Sequence, residues 1–475
     1  MKLISLYHPK FARALVYMLQ SSEYSTEQFL AWFRRAKDLR HVAHRGQLDL
    51  TRKARLLLLV TYGVIIFEAL VLGVLLLMTN VSPLWFVVFI LFLLLAPYLT
   101  AYFLVAVLWL GRVLVQNRAE RAIIAAAKLG LQDHPGLRIA VAGSYGKTSF
   151  KEMLRTILSQ GKAVAATPGN MNTPIGISRF ITTLSGHEEV IIFELGEYYP
   201  GDIRELSQLV QPDMGVITGI NEAHLAKFKT IDRTIATIFE LADFLTGKPV
   251  YKNGDNRLVR ERAGSNDPLL YSQAGMKNWK VSDIQIGIDS TSFTASNGSM
   301  TVAAKSGLLG IQQVGPLVAC IDIAFKLGLT AAQITAGIGA TKPYEHRMQP
   351  RPLAGAWIID DTYNGNSDGV AAGLQWLASV PATRRIYVTP GLVEQGAKSS
   401  DVHVGIGRQI AAVADVVVLF ENSVSSDIQS GLQQANFQGE LKLVADALKF
   451  YNNLDQFIAT GDVVLMQNDW TDNYF

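Results

Sequence analysis

Two long apolar runs, separated by a short polar bend, constrain this chain more than any other feature of its sequence. The first run is Leu56–Met78, the second is Leu84–Leu110, and Glu68 is the only charged residue in either of them. A helix needs about 20 apolar residues to cross the hydrocarbon core of a bilayer. Charged residues make up only 17% of the chain, whereas about 25% is typical of soluble domains. We therefore predict a transmembrane hairpin of two helices over residues 55–112, with the lipid bilayer as a partner.

The basic residues that flank the two runs predict the orientation of this hairpin. The bend between the runs, Thr79–Pro83, contains no lysine or arginine. Cytoplasmic segments next to a span carry an excess of basic residues. We expect a multi-pass protein of the cytoplasmic membrane, with both ends of the hairpin and the catalytic domains on the cytoplasmic side. The flanking basic residues are Arg52, Lys53, Arg55, Arg112, Arg118, Arg121 and Lys128.

Two features near the membrane each allow two interpretations. Residues 1–54 form a basic, amphipathic segment, which either lies on anionic headgroups or presents a solvated helical face. Glu68 is either a functional charge within the membrane or a carboxyl group that is protonated or paired within the hairpin. Residues 113–136 are predicted to be a helical connector.

Charge and cysteine content exclude several classes of function. A net charge of +3 is too small to indicate a nucleic-acid partner. The single cysteine, Cys320, excludes an internal disulfide and a zinc cluster built on thiolates.

A glycine loop after the connector predicts a nucleotide site. Leu137–Ala142 has the composition of a short buried strand, and the sequence GSYGKTS follows at once and leads into a helical pattern. In this context backbone N–H groups and the helix N-terminus bind phosphate. Lys147 is expected to reach the β- and γ-phosphates of ATP, and the Thr148 hydroxyl is expected to hold Mg²⁺. The predicted nucleotide-binding residues of the loop are Gly143, Ser144, Gly146, Lys147, Thr148 and Ser149.

Several further blocks, in order along residues 137–475, resemble the Mur ligase family and most closely its MurF-type branch. The loop G-x-x-G-K-[ST] is similar to the phosphate loop of that family. The other blocks are TPGNMNTPIG from Thr167, ELG from Glu194, PGDI from Pro200, DMGVITGIN from Asp213 followed by His224, EHRM from Glu345, DDTYNGN from Asp360, and TPGLVEQG from Thr389 followed by His403.

The resemblance implies a chemistry and a role for each site residue. Such ligases use ATP to convert a carboxylate into an acyl phosphate, which an amine then attacks to give an amide, ADP and phosphate. Glu194 and His224 would bind Mg²⁺ together with Thr148, and Arg347 and Asp361 would contact the nucleotide. The implied catalytic residues are Lys147, Glu194, His224 and Arg347. The implied substrate contacts are Thr167, Asn170, Asn172, Asn364 and Asn366, of which the last two fit a purely turn-forming role equally well.

Four departures from the family pattern limit what the resemblance implies. The lysine that carries a metal-bridging carbamate in many Mur ligases is replaced at or near Ile238. The stretch that supplies adenine contacts reads QQVGP over residues 312–316, and the K-G-S that follows G-D-x-V-L is absent after Gly461. The membrane hairpin stands where MurF-type enzymes have a domain that holds the UDP-sugar.

The predicted architecture is α/β, with a Mur-type phosphate-loop ATPase domain at 137–345 and a Rossmann-like C-terminal domain at 346–475. Residues 265–305 are expected to add antiparallel strands. The predicted function is a membrane-anchored, ATP-dependent amide-bond ligase of peptidoglycan precursor or related envelope synthesis. Its substrate would be a peptide or amino acid, in free, lipid-linked or UDP-linked muramoyl form. The alternatives are a ligase of the poly-γ-glutamate type and a membrane scaffold or regulator of wall synthesis with weak or no catalysis.

Overall fold

The computed structural model describes residues 5–22, 24–36, 48–169, 171–221, 228–363, 365–393 and 398–468 of the 475-residue chain. The chain divides into two compact units, Met1–Ala122 and Ile123–Phe475.

The first unit consists of helices, and its two longest coincide with the apolar runs. Helix α3 begins where the Thr51 hydroxyl caps it, and α4 begins at Pro83 after the Ser82 cap. Both are long and apolar enough to cross a membrane, with a mean hydropathy of 2.4. The described helices of this unit are α1 (Phe11–Ser21), α2 (Thr26–Arg35), α3 (Arg52–Met78) and α4 (Pro83–Gly111), followed by a π-helical turn (Arg112–Gln116).

The short helices α1 and α2 bury their apolar faces against the long pair. Phe29 and Phe33 of α2 are buried in a cluster that includes Leu57 of α3 and Leu104 of α4. The Phe33 ring meets the ring of Tyr98 edge-on, with the centroids 5.7 Å apart. In the described part of residues 1–54, the apolar sides of the amphipathic helices therefore pack against the hairpin.

Glu68 has its partner inside the hairpin. The Thr100 hydroxyl of α4 donates a hydrogen bond of 2.8 Å to Glu68 Oε2, and both residues are buried. This contact agrees with the interpretation of Glu68 as a carboxyl group paired within the hairpin.

The second unit begins within helix α5, at Ile123, and continues with a six-stranded parallel sheet. The strand order is β2-β3-β1-β4-β5-β6, and apolar clusters cover both faces of the sheet. Parallel sheets that are buried on both faces are built from strands with continuous apolar runs, as the sequence of β1 shows. The elements are α5 (Asn117–Gln132), β1 (Leu137–Ala142), α6 (Lys147–Leu158), β2 (Val164–Ala166), α7 (Pro174–Ile181), β3 (Val190–Glu194), α8 (Asp202–Val210), β4 (Met214–Ile217), α9 (Ile231–Phe244), β5 (Val250–Asn253), α10 (Arg257–Ala263) and β6 (Leu270–Tyr271).

An antiparallel sheet is appended to this domain, as expected for residues 265–305, with one correction. Leu270–Tyr271 pairs in parallel with β5 and belongs to the main sheet. The Tyr251 hydroxyl and the Trp279 indole both donate to the buried carboxylate of Asp322, at 2.7 and 2.9 Å, and this links the two sheets. The further elements are β7 (Gly275–Met276), β8 (Trp279–Ile286), β9 (Thr291–Ser296), β10 (Thr301–Ser306), a 3-10 turn (Ile311–Gln313), α11 (Val314–Lys326) and α12 (Ala331–Gly339).

The C-terminal domain is a second six-stranded sheet, in the order β11-β12-β16-β13-β14-β15, and only β11 is antiparallel to its neighbour. Apolar runs in the sequence predict four buried strands in this region, and the structure has a strand at each of them: Trp357–Ile359, Arg385–Val388, Val416–Phe420 and Val463–Met466. Two strands were missed, Gln349–Leu353 with its two prolines and Glu440–Val444, whose side chains are mostly exposed. The elements are β11 (Gln349–Leu353), β12 (Ala356–Asp361), α13 (Ser367–Ser379), β13 (Arg385–Thr389), α14 (Ser399–Ala411), β14 (Val416–Phe420), α15 (Ser425–Gln434), β15 (Glu440–Val444), α16 (Ala447–Asn452), α17 (Leu454–Phe457) and β16 (Val463–Gln467).

Candidate active site

The carboxyl ends of three neighbouring strands of the first sheet meet at one edge. Strand β1 lies between β3 and β4, with Val141 opposite Glu194 and Ala142 opposite Ile217. In open α/β sheets ligands bind outside this edge. The register therefore brings the glycine loop and Glu194 together.

Backbone geometry explains the two glycines of the loop. Gly143 has φ +146°, and a Cβ there would lie 2.2 Å from Thr218 Oγ1. Gly146 has φ +79° and forms the left-handed N-cap of α6. Side chains are strained in this region of φ. Both glycines are thus required by the shape of the loop.

The loop is held in place from the segment that follows β4. The Ser144 amide donates to Gly219 O at 2.6 Å, and the Thr218 hydroxyl donates to the Tyr145 carbonyl. Asn256 Nδ2 donates to the Tyr145 hydroxyl at 3.1 Å. These contacts fix the loop before any ligand binds.

The loop has the properties of a phosphate site. Helix α6 begins at Lys147 without a side-chain cap, because its N-cap is Gly146. Helix N-termini with free N–H groups bind anions. The Ser144 Oγ atom is buried and has no hydrogen-bond partner among the described residues. Thr148 and Ser149 follow in the first turn, and both are partly buried.

Lys147 already has a carboxylate partner that the sequence did not indicate. Its Nζ donates to Glu197 Oε2 at 2.8 Å and to the carbonyl of Gly143. The Glu197 side chain is 2% exposed. Burial raises the pKa of Glu197, whereas the Lys147 ammonium opposes that rise.

A second buried lysine lies one helical turn further along α6. Lys151 Nζ donates to the carbonyls of Thr167 and Gly169, at 2.7 and 2.6 Å, and lies 3.2 Å from Glu194 Oε2. Lys151 is fully buried. It therefore joins the phosphate-loop helix, the segment at Thr167 and the predicted metal ligand.

Two of the predicted substrate residues lie against Glu194. The Thr167 hydroxyl accepts from the Glu194 amide at 3.0 Å, and Asn172 Nδ2 donates to Glu194 Oε1 at 3.2 Å. Glu194 Oε2 is buried and accepts no hydrogen bond among the described residues. These contacts orient the Glu194 carboxylate, whose Oε2 faces the Lys151 ammonium at 3.2 Å, and a carboxylate is a suitable ligand for Mg²⁺. Contact of Thr167 and Asn172 with substrate stays a prediction.

Three predicted site residues, Asn170, His224 and Asn364, lie outside the described residues. Within the described part of the chain, no group of three or more His, Cys, Asp or Glu side chains is arranged to hold a metal ion. Ile238, at the position of the carbamate-bearing lysine, is fully buried in an apolar cluster of α9. It supplies no charge to the site.

Arg347 lies where the two domains of the second unit meet. Its guanidinium lies over the ring of Tyr363, 4.7 Å from the centroid. Burial lowers the pKa of Arg347, and the carboxylate of Asp361 opposes this. The neighbours His346 and Met348 have φ +58° and +45°, which is costly for side-chain-bearing residues. Backbone strain is therefore concentrated in the segment that joins the domains.

Asp361 ends strand β12 and faces neutral donors. Its oxygens accept from Gln467 Nε2 at 2.7 Å and from the Met348 amide at 3.1 Å. Burial raises the pKa of Asp361 to about 6, against the effect of these bonds and of Arg347. Gln467 stands where the K-G-S lysine would be, so a neutral amide has replaced a cation beside this carboxylate.

Asn366 has a structural role, and a nearby bond joins the domains. The Asn366 side chain caps α13 by accepting from the Gly369 amide at 3.0 Å. Asp368, in the first turn of this helix, accepts from Asn221 Nδ2 at 3.2 Å. The cap accounts for Asn366 without any contact with substrate, as the turn-forming interpretation allows.

Two departures from the family pattern compensate each other. Gly365 replaces the alanine of D-D-[ST]-Y-N-A-N, and Asn468 replaces the glycine of K-G-S. A Cβ on Gly365 would lie 1.2 Å from Asn468 Oδ1. Asn468 has φ +70°, in the left-handed region that asparagine tolerates best after glycine. The two positions therefore have to be changed together.

Sequence reasoning missed Lys151, Glu197 and Gln467. Lys151 follows Lys147 by four residues, which places both on one face of α6. Glu197 follows Glu194 by three residues after a buried strand. Without the fold, this spacing is only a weak indication that Glu197 belongs to the site. Only its hydrogen bond to Asp361 in the structure identifies Gln467 as a residue of the site.

His403 supports the loop after β13. Its Nε2 accepts from the Leu392 amide at 2.9 Å, and its Nδ1 lies 2.6 Å from the Ser399 carbonyl. Burial lowers the pKa of His403, so the ring is neutral in this role. The resemblance groups His403 with that loop, and the structure brings them together.

Comparison with known proteins agrees with this geometry. Residues 141–324 match the Mur ligase middle domain, and residues 346–467 match the Mur ligase glutamate ligase domain. The UDP-N-acetylmuramoyl-tripeptide–D-alanyl-D-alanine ligase of Escherichia coli is 28% identical over 295 residues, 59% of this chain and 63% of that protein. The ligase of the same name from Borreliella burgdorferi is 28% identical over 335 residues, 68% of each chain.

A solved structure shows the same fold. The MurF ligase of Thermotoga maritima, in complex with ADP, superposes with a TM-score of 0.63 at 24% identity, over 74% of this chain and 80% of that one. The α/β expectation for the two domains is thereby confirmed. Because this chain spans only 63% of the E. coli relative's length, the relatives' activity and substrates do not transfer to it directly.

The pairing of Gly365 with Asn468 predicts a compensating double substitution. We expect Gly365→Ala to lower stability by about 1–3 kcal/mol, because the new methyl group overpacks against Asn468. Asn468→Gly should restore most of this loss. Thermal unfolding of the full chain in detergent measures both. An equal loss in Gly365→Ala and in the double variant would contradict the pairing.

The raised pKa of Asp361 predicts a pH-dependent stability. The unfolded group has a pKa of about 3.9, so ionisation at higher pH favours the unfolded chain. Stability is then lost as pH rises through the folded pKa of about 6. We expect Asp361→Asn to gain roughly 2 kcal/mol on the wild type between pH 4 and pH 7, measured as a growing difference in thermal midpoint. Asp289→Asn, an exposed control, should show no such trend, and a constant difference for Asp361→Asn would refute the assignment.

Proposed function

We propose that this chain, which carries the middle and C-terminal domains of the Mur ligase family, is a membrane-anchored ATP-dependent ligase that forms amide bonds. The observation that carries the proposal is the glycine loop at residues 143–146. Its glycines have positive φ, its helix begins without a side-chain cap, and the buried Ser144 hydroxyl has no hydrogen-bond partner in the described part of the chain. Such a loop is built for the phosphates of a nucleotide.

The residues around the loop fit the first step, transfer of a phosphoryl group to a carboxylate. Phosphoryl transfer depends on positioning and on neutralisation of charge. Lys147 would contact the phosphates, and Thr148 and Glu194 would hold Mg²⁺, which neutralises phosphate charge when bound. Arg347, at the junction of the domains, would add a second positive charge to the nucleotide.

The C-terminal domain fits the second step, attack of an amine on the acyl phosphate. The strained segment at His346–Met348 joins the domains, and the bond from Asn221 to Asp368 lies across them. A domain that closes over the acyl phosphate excludes water. The carboxyl donor would be a peptide or amino acid of peptidoglycan precursor or related envelope synthesis, in free, UDP-linked or lipid-linked form.

The exposed surface of the hairpin supports the membrane anchor. Large apolar side chains face outward along both helices, among them Leu59 and Leu77 at 71% exposure. The polar groups inside are satisfied internally, since Thr100 donates to Glu68 and the Thr61 hydroxyl donates to the Leu57 carbonyl at 2.6 Å. Lipid offers no hydrogen bonds, so a membrane span has to satisfy its own polar groups. An anchor near the lipid surface favours a lipid-linked substrate.

Phosphate release by the full-length protein in detergent tests the ligase. The substrates would be Mg-ATP with UDP-muramoyl tripeptide plus D-alanyl-D-alanine, with lipid-linked precursors plus amino acids, and with glutamate alone. We expect release that requires one donor–acceptor pair and falls at least about 100-fold in Lys147→Ala, because phosphate charge is no longer neutralised. The exposed Lys277→Ala is the matched control.

The other outcomes distinguish the alternatives. Release with glutamate alone would favour a polymer ligase of the poly-γ-glutamate type. Nucleotide binding without turnover on any pair would favour a scaffold or regulator. Equal activity in Lys147→Ala and the wild type would overturn the role of the loop.

Cysteine accessibility tests the anchor and its orientation. The native Cys320 is fully buried, and burial raises the pKa of its thiol, so it provides a silent background. We expect Val81→Cys, in the bend, to react with a membrane-impermeant maleimide in intact spheroplasts. Ser299→Cys, an exposed residue of the antiparallel sheet, should react only after lysis. Reaction of Ser299→Cys in intact spheroplasts, or release of the protein from membranes by carbonate, would contradict the proposed topology or anchor.

A further inference from the structure

The most unusual feature of the site is a buried ion pair on the phosphate-loop lysine. Lys147 and Glu197 lie 2.8 Å apart, with side chains 12% and 2% exposed. Glu197 belongs to none of the motif blocks whose roles were predicted from the sequence. Glu197 is paired with the ammonium that the proposed function assigns to the nucleotide phosphates.

Other buried charges lie next to the Lys147–Glu197 pair, so a change in either partner affects the charge balance of the whole site. Lys151 and Glu194 form a second buried pair at 3.2 Å, and the negative charge of Glu194 adds to the effect of burial in raising the pKa of Glu197. Glu152 Oε1 also lies 3.6 Å from Lys151 Nζ, so two lysines face three glutamates in this site. A buried charge that loses its only partner is strongly unfavourable.

We propose that Glu197 is a positioning residue that couples nucleotide binding to Mg²⁺. This inference rests on the proposed function. To reach a phosphate, Lys147 has to break its ion pair with Glu197 or contact the carboxylate and the phosphate at the same time. The carboxylate that it leaves is buried beside Glu194, and the bound phosphates add further negative charge. A divalent cation restores the balance, so nucleotide binds weakly without Mg²⁺ and far more tightly with it.

The geometry favours a carboxylate–cation exchange over a purely structural role. Glu194 ends strand β3, and Glu197 lies three residues further along the chain. The carboxylates of both residues are held by lysines of the same helix face, at 3.2 and 2.8 Å. A structural ion pair would not require a position on the phosphate-loop lysine.

Calorimetric titration of ADP into the full-length protein in detergent tests the coupling. The Kd for ADP would be measured in EDTA and in saturating Mg²⁺, and the ratio of the two values is the readout. The variants are Glu197→Gln, which is isosteric and neutral, and Glu197→Asp, which keeps the charge. Glu205→Gln, on an exposed position of helix α8, is the matched control.

We expect Glu197→Gln to bind ADP in EDTA about tenfold more tightly than the wild type, because Lys147 is released and a repelling charge is gone. The Mg²⁺ ratio should fall by about tenfold, a size usual for coupled binding sites. Glu197→Asp should keep most of the ratio, and Glu205→Gln should equal the wild type.

Three results would overturn the inference. Values of Glu197→Gln within twofold of the wild type would show that Glu197 has no part in the coupling. Weaker binding of ADP in EDTA would show that Glu197 supports Lys147 for the nucleotide. If Glu197→Gln fails to fold, loss of the Mg²⁺ ratio in the folded Glu197→Asp would likewise contradict a role for the charge. A wild type that binds no ADP in either solution would overturn the proposed function itself, whereas the first two results leave that function intact.

Discussion

The buried pairing of two lysines with two glutamates is the interaction on which the rest of the site depends. Lys147 and Lys151 project from one face of α6 and meet the carboxylates of Glu197, in the turn after β3, and of Glu194, at the end of β3. The parallel register of β1 and β3, with Val141 opposite Glu194, makes this meeting possible. Because buried charges are tolerated only when paired, the four side chains tie the loop, the strand end and the Thr167 segment into one arrangement. A nucleotide that enters such a site exchanges one set of charge contacts for another.

The junction of the two domains follows a different principle, in which neutral groups replace charged ones. Asp361 accepts hydrogen bonds from Gln467 and a backbone amide, and these bonds, together with Arg347, oppose the rise in its pKa that burial causes. The Asn468 side chain occupies the space that a Cβ on Gly365 would need. These changes form one local set, because Gln467 and Asn468 are adjacent and both contact the strand-end segment that begins at Asp361.

Much of the fold could be predicted from the sequence because its signals are local. Continuous apolar runs indicated both long helices and the strands β1 and β14, and the glycine loop indicated the start of α6. The strands β11 and β15 were missed because prolines and exposed polar residues conceal them, and Leu270–Tyr271 was assigned to the wrong sheet because two residues carry no pairing information. In the site, motif residues were found but their partners were not. Glu197 and Gln467 act through contacts with residues 50 and 106 positions away, and no local pattern encodes a contact over such a separation.

The two units of the chain differ in the kind of partner that their buried carboxyl groups have. In the hairpin, the carboxyl group of Glu68 accepts a hydrogen bond from the Thr100 hydroxyl, and neither apolar run contains a lysine or arginine that could form an ion pair with it. In the candidate active site, full charges are matched with full charges, and the pairs can be broken by a ligand that carries charges of its own. A hydroxyl–carboxyl bond suits the static membrane anchor that we propose. A lysine–glutamate pair suits a site that has to open, since phosphate and a divalent cation can together take the place of both partners. The distribution of these two kinds of buried polar contact therefore separates the part of the molecule that holds position from the part that we propose performs chemistry.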